Sequence, residues 1–296
     1  MTAVVVVNPT KVTDDERAQL LRALRREGVA EVSFVETTAE DPGVGQSREA
    51  VKAGADVVIA WGGDGTVMAC VTGVAGTDTP LAIMAGGTGN LLARNLDIPL
   101  DLAEGAGVAA HGARRRIDVG ALGERRFAVM AGIGFDAAML QDASEKSKAR
   151  IGPVAYVASG LRQLSTRRFD VTVTVDDQPP MHRRARTVLV GNVGKLQGGL
   201  PVLPDAVPDD GVLDVVVISP RTRLEWVQVA WRVVIRRPHP DHMDTLRGRR
   251  ILIETATPQP HELDGEVLGD TTSMCCEVQP GALLLCVPSV DQPRPS

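Results

Sequence analysis

Two patterns of apolar and polar positions follow one another along the chain. Through residue 118, short apolar runs typical of buried strands alternate with single segments of helical spacing. The predicted strands are Val4–Val7, Glu31–Val35, Asp56–Trp61 and Leu81–Met84. Strands separated by single helices favour parallel pairing, so this part is predicted to be an α/β layered domain.

Helices are predicted between and after these strands. The first, Asp14 to Arg26, has leucines on one face and ends at Gly28. Ser47–Ala53 forms a shorter helix, and two more begin at Thr66 and near Asn90. Each of the last two follows a glycine-rich turn, which places that turn between a strand and a helix.

After Asp118 the pattern changes to short strands divided by turns rich in Gly, Pro and Asp. The predicted strands are Phe127–Ala131, Val171–Val175, Thr187–Val190, Leu213–Ile218, Ile251–Glu254 and Leu283–Val287. This pattern is typical of antiparallel sandwich or barrel domains. We therefore predict an α/β domain over residues 1–118 and a β-rich, sandwich-like domain over residues 119–296.

Length and composition agree with two globular domains. The chain has 296 residues, of which 44% are hydrophobic and 23% charged. The formal net charge of -5 argues against a dedicated nucleic-acid-binding protein. The first residues do not resemble a signal peptide, no apolar stretch is long enough to span a bilayer, and the four cysteines lack zinc-site or disulfide spacing. These features predict a reduced, cytoplasmic protein.

Two glycine-rich clusters carry the main chemical signal. Gly62–Thr66 (GGDGT) and Gly86–Gly89 (GGTG) each lie where a predicted strand ends and a helix begins. Free backbone N–H groups bind anions there, and glycine lets the backbone approach a phosphate closely. Because ligands of open α/β sheets bind outside the strand carboxyl ends, both clusters are predicted to form one site. Asp64 would repel a phosphate unless a cation intervened, which indicates Mg²⁺-nucleotide chemistry, with Thr66 and Thr88 as further donors.

The glycine clusters have other interpretations. Gly62–Gly65 taken alone is equally compatible with a tight turn. The chain has no GxxxxGK[ST] P-loop. Gly132–Ala137 fits the GxGxxA pattern of dinucleotide folds, but it lies at the start of the strand-rich half and no βαβ unit follows it. We therefore reject the dinucleotide interpretation.

Taken together, the motifs resemble the diacylglycerol kinase catalytic-domain family, which includes bacterial lipid kinases and sphingosine kinases. GGDGT is shared with NAD kinases, whereas GGTGNLLAR at Gly86–Arg94 resembles the lipid kinases' PLGTGNDFAR more specifically. Further matches follow in family order: Ile117–Gly120, Gly132–Ala137, Gly152–Tyr156, Gly191–Asn192, Gly198–Gly199, Pro204–Asp214 and Leu263–Glu266. The resemblance implies a nucleotide-binding α/β domain, a NAD kinase-like β-sandwich domain, and transfer of the ATP γ-phosphate to a lipid hydroxyl, foremost that of diacylglycerol.

The resemblance also implies site residues. The nucleotide would lie between the domains and contact Asn8, Lys11, Thr37, Gly62, Gly63, Asp64, Gly65, Thr66, Gly87, Thr88, Gly89 and Asn90. Asp64 would help to hold a catalytic Mg²⁺ through water, and Asp264 or Glu266 would act as general base on the substrate hydroxyl. Lys11 stands where the family has S/T-G after Asn-Pro, so it is expected to replace backbone donors to phosphate.

A second, structural Mg²⁺ is implied by the same resemblance, held by Asp210 with the main-chain oxygens of Val207 and Val212. Asp264 and Glu266 have an alternative reading, because Asp-Gly is the strongest short hairpin signal and the pair could belong to a bare turn. Both readings can hold together. A carboxylate within hydrogen-bond reach would help a weakly nucleophilic alcohol, while the other could face a metal or a backbone group.

A diacylglycerol substrate would require peripheral contact with a membrane surface. Residues 221–250 carry eight Arg against three acidic residues. One predicted helical face there contains Leu224, Val227, Trp231, Val234 and Ile235. Such a helix could lie on an anionic membrane, or it could pack into the second domain with its Arg side chains in solvent.

Alternatives remain open for both the function and the oligomeric state. NAD kinase-type phosphorylation of a nucleotide is the nearest enzymatic rival, and a nucleotide-binding module without turnover is the rival of another class. Diacylglycerol, sphingoid bases, phosphatidylglycerol and isoprenoid or polyketide alcohols all remain as acceptors. The expected partner is a lipid substrate and not a nucleic acid. The expected assembly is a monomer or a homodimer.

Overall fold

The chain folds into two compact units. The computed structural model describes residues 1–134, 168–195, 201–222, 225 and 242–289. The first unit contains Met1–Val119 together with the chain from Gln279 onward, and the second contains Gly120–Val278. The sequence prediction placed every residue after 118 in the second domain, so the return of the C-terminal segment to the first unit was not anticipated.

The first unit is built on a parallel sheet. β1 (Thr2–Val7) lies between β2 (Glu31–Glu36) and β3 (Val57–Gly62), and β4 (Leu81–Ala85) follows β3. The C-terminal part of β14 (Glu266–Val287) pairs in parallel with β4. The residues of β3 are buried throughout, as expected for a central strand covered on both faces. The predicted α/β fold is confirmed.

Helices of the first unit connect these strands. Their bounds are α1 Asp14–Arg26, α2 Val44–Lys52, α3 Asp64–Val74, α4 Leu91–Asn95 and α5 Leu102–His111. α1 matches its prediction because Thr13 and Glu16 form a capping box at its start. α5 was not predicted, because it is rich in Ala and Gly and has little apolar contrast between its faces.

The second unit is an antiparallel β-structure, as predicted. Its strands are β5 (Ala113–Leu122, shared with the first unit), β6 (Arg125–Phe127), β7 (Met130–Ile133), β8 (Phe169–Val175), β9 (Met181–Ala185), β10 (Thr187–Gly191), β11 (Leu213–Ile218), β12 (Met243–Gly248), β13 (Arg250–Leu263) and most of β14. The order β12-β11-β10-β7-β13-β14 runs through the unit, and β8 also pairs with β13. Their inward side chains form one apolar core.

Several predictions about single segments need correction or lie outside the described residues. The strand predicted over Phe127–Ala131 is interrupted between β6 and β7, and β13 and β14 are much longer than their predicted parts. The apolar face proposed for residues 224–235, the segment 152–156 and the pair at 198–199 lie outside the described residues. Within the described part of the chain, no helix is long and apolar enough to cross a bilayer.

Candidate functional site

The two predicted glycine loops lie side by side in the first unit. β3 and β4 are adjacent and parallel, and Gly86 N donates to Gly62 O at 2.9 Å just beyond them. A Cβ atom at Gly86 would lie 3.0 Å from Gly62 Cα, and one at Gly87 would lie 2.9 Å from Gly63 Cα. Glycine is therefore required here for the contact between the two backbones, in addition to any role toward a phosphate.

This contact predicts a loss of stability in Gly86→Ala. We expect the free energy of unfolding to fall by about 1–3 kcal/mol, because backbone atoms of Gly62 must move to admit the methyl group. Gly107→Ala in α5 is the matched control, since its added Cβ meets nothing within 4 Å. An equal free energy of unfolding in urea for wild type and Gly86→Ala would contradict the packing argument.

Asp64 is the residue that joins the two loops. It opens α3, and its carboxylate accepts hydrogen bonds from Asn90 N at 3.1 Å and Leu91 N at 2.6 Å. Burial raises the pKa of Asp64, while these backbone hydrogen bonds and the charge of Arg94 lower it. Sequence reasoning assigned Asp64 to a metal and did not find this linking role. An ionised carboxylate has about four acceptor sites, so the metal role remains compatible and stays a prediction.

Asn90 fixes the second loop from within. Its side chain accepts from Gly87 N at 3.3 Å and donates to Gly87 O at 2.8 Å, and its backbone has a left-handed φ of 49°. The residue is 8% exposed. The side chain predicted to bind nucleotide is thus used to shape the loop. Thr88 is exposed and Gly89 is buried beside it.

The remaining predicted nucleotide contacts follow neighbouring strands. Asn8 comes directly after β1 and its N–H donates to Trp61 O at 3.0 Å, while Thr37 comes directly after β2 and donates to Val7 O at 2.9 Å. The chain leaves β1 for β2 on one side, and the connection from β2 to β3 crosses to the other side of β1. This edge is therefore the topological switch point where α/β sheets bind ligands. Lys11 is exposed next to it, whereas Thr66 is buried against Gly62.

Asp264 occupies a backbone-lined niche in the second unit. β13 and β14 form the predicted Asp-Gly hairpin, with φ of 48° at Asp264 and 90° at Gly265. The carboxylate of Asp264 is buried and accepts from Ala128 N at 3.2 Å, Val129 N at 3.1 Å and Met130 N at 2.6 Å. The turn prediction is confirmed, but the turn residue faces inward instead of lying at the surface.

These three hydrogen bonds explain why the strand predicted over Phe127–Ala131 is interrupted. The amides of Ala128 and Val129 point to Asp264 instead of entering a ladder. On the opposite side, Asn192 Nδ2 donates to Ala128 O at 3.3 Å and Asn192 N donates to Val129 O at 2.9 Å. Asp264 and Asn192 therefore hold the break between β6 and β7 together.

Asp264 and Glu266, the two carboxylates of the Leu263–Glu266 match, lie in different environments. Glu266 begins β14, its side chain is 65% exposed, and its Oε1 lies 3.4 Å from Arg125 Nη1. Asp264, in contrast, is committed to the three amides. Sequence reasoning left open which of them could act on a substrate. Of the pair, only Glu266 presents its carboxylate to solvent in this unit.

A third carboxylate, Glu262, was missed by sequence reasoning. It lies on β13, is 2% exposed, and its Oε2 accepts from Gly265 N at 2.8 Å. Burial raises the pKa of Glu262 to about 7, against the hydrogen bond from Gly265, which lowers it. Burial also raises the pKa of Asp264, which the three amides lower. Because Asp264 accepts three amides and Glu262 one, hydrogen bonding favours the ionised form of Asp264 more than that of Glu262.

The raised pKa of Glu262 predicts a pH dependence of stability. The unfolded chain ionises this group near pH 4.5, whereas the folded chain keeps its proton up to about pH 7. The contribution of Glu262 to the free energy of unfolding should therefore fall as pH rises from about 4.5 to 7 and then level off. Urea unfolding of wild type and Glu262→Gln between pH 5 and 8 measures it. Parallel pH profiles of the two proteins would contradict the assignment.

The predicted structural metal site lies in the loop before β11. Asp210 Oδ1 accepts from Val212 N at 3.2 Å, and Arg247 forms ion pairs with Asp210 and, at 2.9 Å, with Asp214. Burial raises the pKa of Asp214, and the carboxylates of Asp210 and Asp205 contribute to that rise. The Arg247 guanidinium thus pairs with two carboxylates, and the charge of Asp205 also acts on Asp214. The liganding role of the Val207 and Val212 oxygens stays a prediction.

Among the residues that the structure describes, no three His, Cys, Asp or Glu side chains are grouped to hold an ion. The predicted set contains one carboxylate and two main-chain oxygens, so it is of a different kind.

Comparison with protein-family models gives two adjoining matches. Residues 2–122 match the diacylglycerol kinase catalytic domain, and residues 128–287, more than half of the chain, match the YegS C-terminal NAD kinase beta sandwich-like domain. The junction between the matches, residues 123–127, lies close to the boundary between the two structural units.

Individual proteins agree with these matches. The diacylglycerol kinase of Bacillus subtilis is 28% identical over 274 residues, which are 90% of this chain and 89% of that protein. An uncharacterized protein of Synechocystis sp. is 27% identical over 253 residues, or 79% of this chain, which spans 58% of that longer protein. A crystal structure of a candidate diacylglycerol kinase from Bacillus anthracis superposes with a TM-score of 0.78 and 26% identity, covering 97% of both chains.

Proposed function

The chain belongs to the diacylglycerol kinase catalytic-domain family, and on that premise we propose that it transfers the γ-phosphate of ATP to the hydroxyl of a lipid, diacylglycerol in the first place. One observation carries the proposal. Two glycine loops are joined backbone to backbone at the carboxyl ends of adjacent parallel strands, with Asp64 hydrogen-bonded across them. Backbone donors at such an edge suit the phosphates of a nucleotide.

Phosphoryl transfer depends on positioning and on neutralising the charge of the β- and γ-phosphate oxygens. Main-chain N–H groups of the two loops would position the phosphates, and Asn8, Lys11 and Thr37 follow strands at the same edge of the sheet. Asp64 would hold a Mg²⁺ ion, which supplies positive charge beside the phosphates when bound. The hydrogen bonds that Asp64 already makes to Asn90 and Leu91 would fix the carboxylate in place for that task.

Glu266 is proposed as the general base of the second unit. Its exposed carboxylate can accept a proton from an alcohol, whereas the buried Asp264 carboxylate is engaged by three amides. Asp264 would keep the turn and the preceding segment in place. The structural Mg²⁺ would be held by Asp210 with the main-chain oxygens of Val207 and Val212, and it would cross-link the loop before β11.

Diacylglycerol is the proposed acceptor because relatives from Bacillus subtilis and Staphylococcus saprophyticus are named diacylglycerol kinases, while those from Pseudomonas putida and Klebsiella pneumoniae are named only YegS-like lipid kinases. Such a substrate resides in a bilayer, so peripheral contact with a membrane surface is part of the proposal. The excess of arginine over acidic residues in 221–250 would favour an anionic surface.

Phosphate transfer to a panel of acceptors tests the proposal. Purified protein is incubated with Mg²⁺ and γ-labelled ATP against short-chain diacylglycerol, sphingosine, phosphatidylglycerol and NAD. Label in phosphatidic acid supports diacylglycerol, and label in another lipid keeps the lipid kinase but changes the acceptor. Label in NADP alone would establish the nucleotide kinase instead, and ATP binding without any transfer would establish a non-catalytic module.

A further inference from the structure

The Glu262 side chain occupies the space left by a glycine on the neighbouring strand. β13 pairs with β7 so that Glu262 lies directly opposite Gly132. A Cβ atom at Gly132 would lie 2.9 Å from Glu262 Oε1 and 3.0 Å from Leu189 Cδ2. The absent side chain therefore leaves room for a carboxyl group inside the second unit. This explains the first glycine of Gly132–Ala137 without any nucleotide.

The hydrogen bond of Glu262 closes the Asp-Gly turn from inside. The strand register pairs Leu263 with Glu266, so the ladder offers no partner for the N–H of Gly265, and Glu262 Oε2 accepts it. Asp264 N donates to Met130 O at 2.8 Å. Both amides of the turn are thus bonded, one to Met130 at the start of β7 and one to Glu262.

Leaving either amide unbonded would loosen a turn that has two successive positive φ angles. A backbone with such angles is stable only where contacts from the surrounding structure hold it in place. Glu266 is the next residue after this turn, and its side chain reaches only an exposed partner, Arg125. The place of Glu266 is therefore set by the turn and by the strand it begins, and little else in the described part of this unit holds its side chain.

We propose that Glu262 is a positioning residue, which fixes the Asp264-Gly265 turn through the Gly265 amide and so holds Glu266 where it can act on the acceptor hydroxyl. The inference rests on the proposed role of Glu266 as base. It gives this buried acid, which lies outside the Leu263–Glu266 match, a part in the transfer step without contact to the substrate.

Two variants of similar size separate the hydrogen bond from packing. Glu262→Gln keeps an acceptor for Gly265 N–H, and Glu262→Met fills a similar volume without one. We expect the Gly265 amide to exchange with deuterium at least tenfold faster in Glu262→Met than in wild type, with kcat at least tenfold lower and KM for ATP unchanged. Glu262→Gln should stay within about threefold of wild type in both readouts. Glu254→Met, an exposed position on the same strand, should change neither.

Each of the following outcomes decides whether Glu262 is a positioning residue. Unchanged exchange at Gly265 in Glu262→Met, or faster exchange with kcat within twofold of wild type, would overturn the positioning role. Equal losses of activity in the Gln and Met variants would also overturn it, because a charge and not an acceptor would then be needed. A wild-type protein that phosphorylates no lipid would reject the proposed function, while the exchange data would still decide whether Glu262 fixes the turn.

Discussion

Asp64→Ala is expected to lower kcat for lipid phosphorylation by roughly 10²-fold or more. The substitution removes the carboxylate proposed to hold Mg²⁺, and it also removes the acceptor of Asn90 N–H and Leu91 N–H, so the two glycine loops lose their link. The loop effect should add a loss of about 1–3 kcal/mol in the free energy of unfolding. Steady-state kinetics and urea unfolding of the same preparation measure both.

A second substitution separates these two effects of Asp64. Asp64→Asn keeps one oxygen acceptor for the loop amides but has little affinity for Mg²⁺, so its stability should lie between those of wild type and Asp64→Ala while its kcat stays low. Asp15→Ala removes an exposed acid at the start of α1. It serves as the control for protein preparation and for the loss of one negative charge. A kcat near that of wild type in Asp64→Asn would remove the metal role and leave only the structural one.

Asp264→Asn is expected to reduce kcat by roughly 10²-fold and to destabilise the fold as well. Three amide N–H groups converge on the carboxylate, and an Asn side chain can offer them only one oxygen. Its NH₂ group would then face the N–H of Ala128 or of its neighbours. Leaving a buried donor without an acceptor costs about 1–3 kcal/mol. Thermal unfolding and kinetics of the purified variant test the two parts.

Glu266→Gln provides the comparison for Asp264→Asn. Its side chain is exposed and paired only with Arg125, so stability should stay within about 0.5 kcal/mol of wild type. Its kcat should nevertheless fall by about 10²-fold if Glu266 is the base. An active Glu266→Gln together with an inactive, fully stable Asp264→Asn would exchange the roles of the two residues.

Local sequence signals predicted much of the first unit. α1 was placed correctly because its cap, its apolar face and the terminating Gly28 all lie within the segment itself. The two glycine loops could be paired in advance because parallel strands end at the same edge of a sheet. α5 escaped prediction because Leu102–His111 has small residues on most of its surface, and such a helix depends on tertiary contacts with α1 and β4.

The second unit shows where local reasoning fails. Asp264 resembles a surface hairpin residue in the sequence, and its burial depends on amides that lie 134 to 136 positions earlier in the chain. Glu262 and Leu263 are consecutive in β13 and both are buried, so no alternation of polar and apolar residues identifies the inward direction of Glu262. The signal that was present is an acid two residues before an Asp-Gly turn together with a glycine on another strand. Recognising it requires the β7–β13 register.

Transfer of label from γ-labelled ATP into a chloroform-extractable product tests the central claim most directly. Wild type, Asp64→Ala and Glu266→Gln are assayed with Mg²⁺ and short-chain diacylglycerol. The three proteins are used at equal concentrations, after each has been shown to be folded. The account predicts labelled phosphatidic acid from wild type and at least a 10²-fold slower appearance from each variant. Equal rates from all three proteins, or no labelled lipid from wild type while NAD becomes phosphorylated, would contradict it.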